Sequence, residues 1–212
     1  MTEPDVTLTD YGLAIECAAL SWLISRRRGP RPLRFWVSLF FASVGLAALL
    51  GGMVHGFFLD PGSAGHRLLW PATLLAIGVT ALAAWAIGAR ITLRGPMARR
   101  VVMAAAVEFA GYAVVVLFIS RSFAVAVLNY LPAAGFLLIV LCLAYREERT
   151  PQPLVGVAGL VLTFVASALQ QAGIAVHPVY LNHNALYHLL QAIALFMIFV
   201  GVGWFAAHRT PA

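Results

Sequence analysis

Seven apolar stretches, each long enough to cross a bilayer, follow one another almost without interruption. They cover residues 8–25, 35–59, 68–89, 101–119, 123–145, 153–175 and 183–207. About 20 apolar residues make a helix that spans the hydrocarbon core, and lipid offers backbone N–H and C=O groups no partner, so such stretches fold as helices. The breaks between them carry helix-ending residues: an arginine run with Gly29, Pro30 and Pro32, then Asp60-Pro61-Gly62, Arg94-Gly95-Pro96, Ser120-Arg121-Ser122, Thr150 to Pro153, and His177-Pro178. In a chain of 212 residues this leaves little for a water-soluble domain. The sequence therefore reads as one integral-membrane domain over residues 1–212, an all-α bundle of seven transmembrane helices. Composition agrees: 62% apolar and 10% charged excludes an ordinary cytoplasmic enzyme, a disordered chain and a disulfide scaffold. The first stretch is the least apolar, since only Tyr11 to Ser25 is free of aspartate.

The charges predict an orientation. All 14 basic residues are arginines. Without lysine the chain cannot be a retinal-binding rhodopsin or use a lysine Schiff base. The arginines flank apolar runs, which argues for topology and against nucleic acid as a partner. Arg26, Arg27, Arg28, Arg31 and Arg34 follow the first span, and Arg90, Arg94, Arg99 and Arg100 flank the third-to-fourth connection. Arg146 and Arg149 follow the fifth span and Arg209 the seventh, leaving only Arg67 and Arg121 for the opposite side. By the positive-inside rule the N-terminus lies outside and the C-terminus in the cytoplasm. Met1 to Asp10 is acidic, with no basic n-region, and does not read as a cleaved signal peptide. Cys17 and Cys142 fall inside apolar stretches and read as packing residues.

Given that orientation, five of the six histidines crowd the outer side: His55, His66, His177, His183 and His188, with Asp60 among them. Counted at about 1.5 Å per residue, Glu16, His55 and His188 share one depth, roughly 8–9 Å inside. Ionisable groups in a bilayer face the bundle interior and find partners, so these three are expected to converge in one pocket near the outer face. Asn184, His188 and Gln191 form one polar stripe on the last span, and Asn182 or Asn184 is positioned to cap its start. Each residue also has a structural reading. An intramembrane histidine can simply bond a neighbouring helix, His177 and His183 suit an interfacial loop, and Asn129, Gln170 and Gln171 suit interhelical hydrogen bonds. Glu108 with Tyr112 reads equally as a second buried carboxylate or a structural hydrogen bond. Gly52-Met-Val-His-Gly56 reads as a close helix contact.

Seven spans, an outside N-terminus, Gly51-Gly-Met-Val-His55 on the second span and His183-Asn-Ala-Leu-Tyr-His188-Leu-Leu opening the seventh resemble one group. It is the superfamily of intramembrane hydrolases that contains the alkaline ceramidases and adiponectin receptors. In that family a Ser-x3-His on the second span, a following Asp and a HxxxH on the seventh hold a zinc ion, and an Asp-linked water attacks a lipid amide or ester. The resemblance implies zinc on His55 and His188. Gly51 stands where the family has Ser, and Asn184 where it has the first His of HxxxH. The third ligand would then be His183 or His66, and the general base Asp60 or Glu16. His183 and His188 lie about 140° apart on a regular helix, so His183 can join only if the first turn unwinds.

Three functions are thus expected to compete. One is a zinc-dependent hydrolase of a lipid amide or ester, with membrane lipids as partners and substrate. The second is a non-enzymatic membrane receptor, sensor or assembly factor with a polar pocket. The third, b-type haem on His55 and His188, is weaker, because histidines on one face do not carry electrons across a membrane.

Overall fold

The computed structural model describes residues 1–177 and 180–208; Pro178 of the last break and Arg209 lie outside the described residues. Seven α-helices make up the architecture: α1 (Pro4–Arg26), α2 (Arg31–Phe57), α3 (Ala64–Thr92), α4 (Gly95–Val114), α5 (Phe123–Glu148), α6 (Pro151–Gln171) and α7 (His183–His208). A π-helical turn, Val115–Ile119, extends α4. Among the described residues there is no strand beyond one isolated bridge, His177 with Leu181.

The helix ends follow local chemistry. Proline occupies the first turn of α1, α2, α4 and α6, where its missing N–H costs nothing. Ser63 and Ser122 cap α3 and α5, accepting from the amides of His66 and Ala124. Asn182 caps α7, its Oδ1 accepting from the amides of Asn184 at 2.9 Å and Ala185 at 3.0 Å. Gly29 sits at φ +143°, and a Cβ there would meet the Ala206 carbonyl oxygen at 2.0 Å, so only glycine fits.

Helices α2 to α7 are each long and apolar enough to cross a membrane. α1 is a full-length helix of 23 residues but carries Asp5, Asp10 and Glu16. Large apolar side chains face outwards around the bundle, among them Ile15, Leu68, Val107, Phe118, Leu128 and Ile139. A monomer in water rarely exposes such a surface, and a lipid solvent accounts for it. Length, composition and surface are those of an integral membrane protein.

The helices close into a ring in the order α1, α2, α3, α5, α6, α7 and back to α1, with α4 outside the ring against α3. Glycines set the closest approaches. Gly52 and Gly56 of α2 meet Tyr11 and Thr7 of α1, as the GxxxG spacing predicts. Gly156 of α6 faces Gly201 of α7 with almost no gap. At one end, called here the arginine end, the Arg27 guanidinium lies over the Phe199 ring at 4.6 Å. Glu108 lies exposed on the outer face of α4, while the buried Tyr112 donates to the Leu74 carbonyl at 2.8 Å. Glu108 is thus no buried carboxylate, and Tyr112 supplies the structural hydrogen bond by itself.

Candidate functional site

A cavity of about 680 Å³ lies inside the ring towards the end opposite the arginines. On α7 its wall runs from His183 to Leu195, twelve residues or about 18 Å. Beyond that depth the bundle is filled by Phe40, Phe41, Leu137, Leu141, Ile198 and Phe205, all fully buried. The cavity is therefore blind towards the arginine end, and Gln171 and His183 stand at its opposite end. Most of the wall is apolar, and the polar groups on it come from α1, α2, α3, α5, α6 and α7.

Asp10 and His188 form the centre of the polar wall. His188 Nε2 lies 3.3 Å from Asp10 Oδ1, and its Nδ1 lies 3.1 Å from the Thr9 hydroxyl. That hydroxyl lies 2.9 Å from the Asp5 carbonyl and 3.0 Å from that of Val6, so its hydrogen goes to the backbone, as is usual for threonine in a helix. It therefore accepts from His188 Nδ1, and on the other side of the ring Nε2 and the Asp10 carboxyl are paired through a proton carried by one of them. The second Asp10 oxygen, Oδ2, is buried without a hydrogen-bond partner, and so is Gln191 Oε1. Asp10 is 4% exposed and Gln191 7%, and both line the cavity. Tyr187 lies within hydrogen-bonding reach of Ser167 and within electrostatic reach of Asp10, and Tyr130 lies near Tyr187.

His55 shares the cavity wall, with Nδ1 held 2.5 Å from Glu3 Oε2. The residues before α1 tie the helices together here. The amides of Thr2 and Glu3 donate to the last carbonyls of α2, at Gly56 and His55, and Asp5 accepts from the Asn182 amide at 3.2 Å.

The expected site residues divide accordingly. His55, His188 and His183 line the cavity, as do Asn184 and Gln191 of the polar stripe. Gln170 donates to Asn184 at 3.0 Å, an interhelical bond between α6 and α7. Glu16 does not reach the cavity. Six residues beyond Asp10, it points about 120° away around α1, off the buried stripe of Asp10, Leu13, Cys17, Leu20 and Ile24. Asp10 takes the place expected of Glu16. α1 begins at Pro4, four residues before the expected start at residue 8, so Asp10 lies within its second turn and on the buried stripe. Asp60 is exposed and satisfied by its own turn, accepting from the Gly62 amide at 2.9 Å. His66 is held at the start of α3 by the Phe58 carbonyl at 2.9 Å and stacks on Trp70, outside the cavity wall. α7 is regular from His183 onwards, so its first turn does not unwind to swing His183 towards His188. Among the described residues, no three His, Cys, Asp or Glu side chains converge as a metal centre requires.

Gly51 packs directly on Asp10. A Cβ there would stand 3.6 Å from Oδ2, ordinary contact, whereas at Gly52 it would meet Tyr11 at 2.9 Å. Gly51→Ser is expected to raise the melting temperature, because its hydroxyl can donate to the unpaired oxygen, a gain of about 1 kcal/mol. Gly52→Ser is expected to lower it. Thermal unfolding of the two variants in detergent checks the pair.

An all-helical, membrane-type bundle with a largely apolar cavity that carries a few buried polar groups is the class these observations define. The chain belongs to a family of unknown function, DUF6962, which it matches over residues 6–205. No curated protein and no solved structure matches it.

Proposed function

We propose that this chain is a seven-span membrane receptor or sensor, with α1 as the seventh span, that binds part of a lipid or another amphipathic molecule in its cavity. The observation that carries the reading is the pair of buried, unpartnered acceptors, Asp10 Oδ2 and Gln191 Oε1, on the wall of a blind 680 Å³ chamber. Buried polar groups are normally satisfied, and each one left unpaired costs about 1–3 kcal/mol, so a guest with donors recovers that cost. The volume falls in the range that small-molecule sites occupy. The arginine partition supports an outside N-terminus, a cytoplasmic C-terminus and a cavity mouth at the outer face.

Membrane-impermeant thiol labelling tests this in a Cys142→Ala background. Cysteine at Thr73, on the cavity wall, should react when the reagent is added outside. Cysteine at Glu147, exposed at the arginine end, should react only after the membrane is opened. Labelling of Glu147→Cys from outside, or protection of Thr73→Cys on that side, would sink the reading.

A second reading, zinc-dependent hydrolysis of a lipid amide or ester, has one observation in its favour. The 3.3 Å between His188 Nε2 and Asp10 Oδ1 is long for an ion-paired hydrogen bond. It matches the separation of two donor atoms on one tetrahedral ion with bonds of about 2.0–2.1 Å. His188 and Asp10 would hold the metal, with His55 on the same wall, and a zinc ion supplies a water acidic enough to ionise near neutral pH. Metal analysis of the wild type, His55→Ala and His188→Ala separates the readings. About one zinc per chain, lost in both variants, would put the hydrolase first.

A further inference from the structure

We infer that the guest of this cavity is an aliphatic amine, held by its ammonium between Asp10 and Gln191, with its hydrocarbon along the apolar wall. The inference rests on the reading of the cavity as a binding chamber and names the chemistry of its guest.

Two buried acceptors on the wall have no hydrogen-bond partner, Asp10 Oδ2 and Gln191 Oε1. Asp10 Oδ1 is paired with His188 Nε2 at 3.3 Å, which holds the carboxyl in place and leaves Oδ2 for a guest. The Gln191 amide nitrogen has the Thr163 hydroxyl at 3.4 Å, which leaves its carbonyl oxygen for a guest. Gln191 follows His188 by three residues on α7, so both project onto one stripe. A primary ammonium carries three hydrogens and can meet both acceptors at once.

Charge separates an amine from a neutral alcohol or an acid. Among the described residues no arginine lines the cavity, and Asp10 is the one carboxyl group on its wall. A carboxylate or phosphate would add negative charge beside Asp10 in a low-dielectric site, with no arginine on the wall to balance it. An ammonium is the complementary charge. Tyr130, Tyr187, Trp70 and Phe123 also line the wall, and aromatic faces attract cations. Leu13, Val44, Ile77 and Leu195 supply apolar surface for the carbon chain.

The test compares three probes of equal chain length, n-octylamine, n-octanol and octanoate, by titrated thermal stabilisation of the purified full chain in a neutral maltoside detergent. Octylamine should bind at least tenfold more tightly than octanol, and octanoate should be the weakest. In Asp10→Asn, nearly the same shape without the charge, the preference for amine over alcohol should disappear while octanol still binds. Gln191→Leu provides an independent reading should Asp10→Asn fail to fold, and should weaken octylamine several-fold without weakening octanol. Equal binding of amine and alcohol, or an amine preference that survives in both variants, overturns the inference and leaves the chamber standing. If none of the three probes stabilises the protein, the inference fails and the chamber reading fails with it.

Discussion

Gly201→Leu should lower the melting temperature by more than about 5 °C, whereas Gly135→Leu should leave it almost unchanged. Both glycines lie inside apolar helices, and the substitution adds the same atoms to each. At Gly201 a Cβ would stand 2.6 Å from the Gly156 Cα and 3.0 Å from its nitrogen, so the obstacle is the backbone of α6 and not a side chain that can rotate away. At Gly135 nothing lies within 4 Å. Overpacking a well-filled contact costs about 1–3 kcal/mol when side chains give way, and a backbone contact belongs at the upper end. The consequence reaches the cavity, because α7 carries His183, Asn184, Tyr187, His188 and Gln191 on its wall. Thermal unfolding of the two variants decides the matter, and equal losses would mean that the α6–α7 contact is not the close one described.

Asp10→Ala and His188→Ala should each destabilise the protein by about 3 kcal/mol, since removing one member of a buried pair leaves the other without its partner. The double variant should lose less than the sum, by about 1–2 kcal/mol, because it leaves neither group stranded. Glu16→Ala provides the contrast. Glu16 lies off the buried stripe of α1, and its removal should cost little. A strictly additive Asp10 and His188 cycle would show that the 3.3 Å contact carries no coupling, and with it the proposed centre of the site would fall.

Much of the site was legible because polar residues are scarce here and depth can be counted along a helix. His55 and His188 stood out for that reason, and both line the cavity. Depth says nothing of azimuth, however. Glu16 shares their level but points elsewhere, and Asp10, nearer the helix start, turns inwards. Asp60 and His66 were expected from the crowding of histidines on the outer side and from the family resemblance. Each is instead satisfied by the backbone of the turn between α2 and α3, a local bond that forms whatever the rest of the bundle does.

The sequence by itself determined that the chain folds as a succession of long apolar helices, where the breaks between them fall, and that its arginines gather at one end of them. Those properties depend on local residues: apolar length, proline in a first turn, a serine or asparagine cap, glycine where φ is positive. Only the tertiary structure decided that α4 stands outside the ring while α3 meets α5, and that Asp10, Gln191 and Tyr187 face one chamber. The physical reason lies in the solvent. A helix in water reveals its inner face by being apolar on one side only, but a helix surrounded by lipid is apolar all round. Neighbours in the bundle are then selected by shape and by a few polar partners, such as Gly156 against Gly201 and Asp10 beside His188, and a single chain of letters does not show which residues will meet.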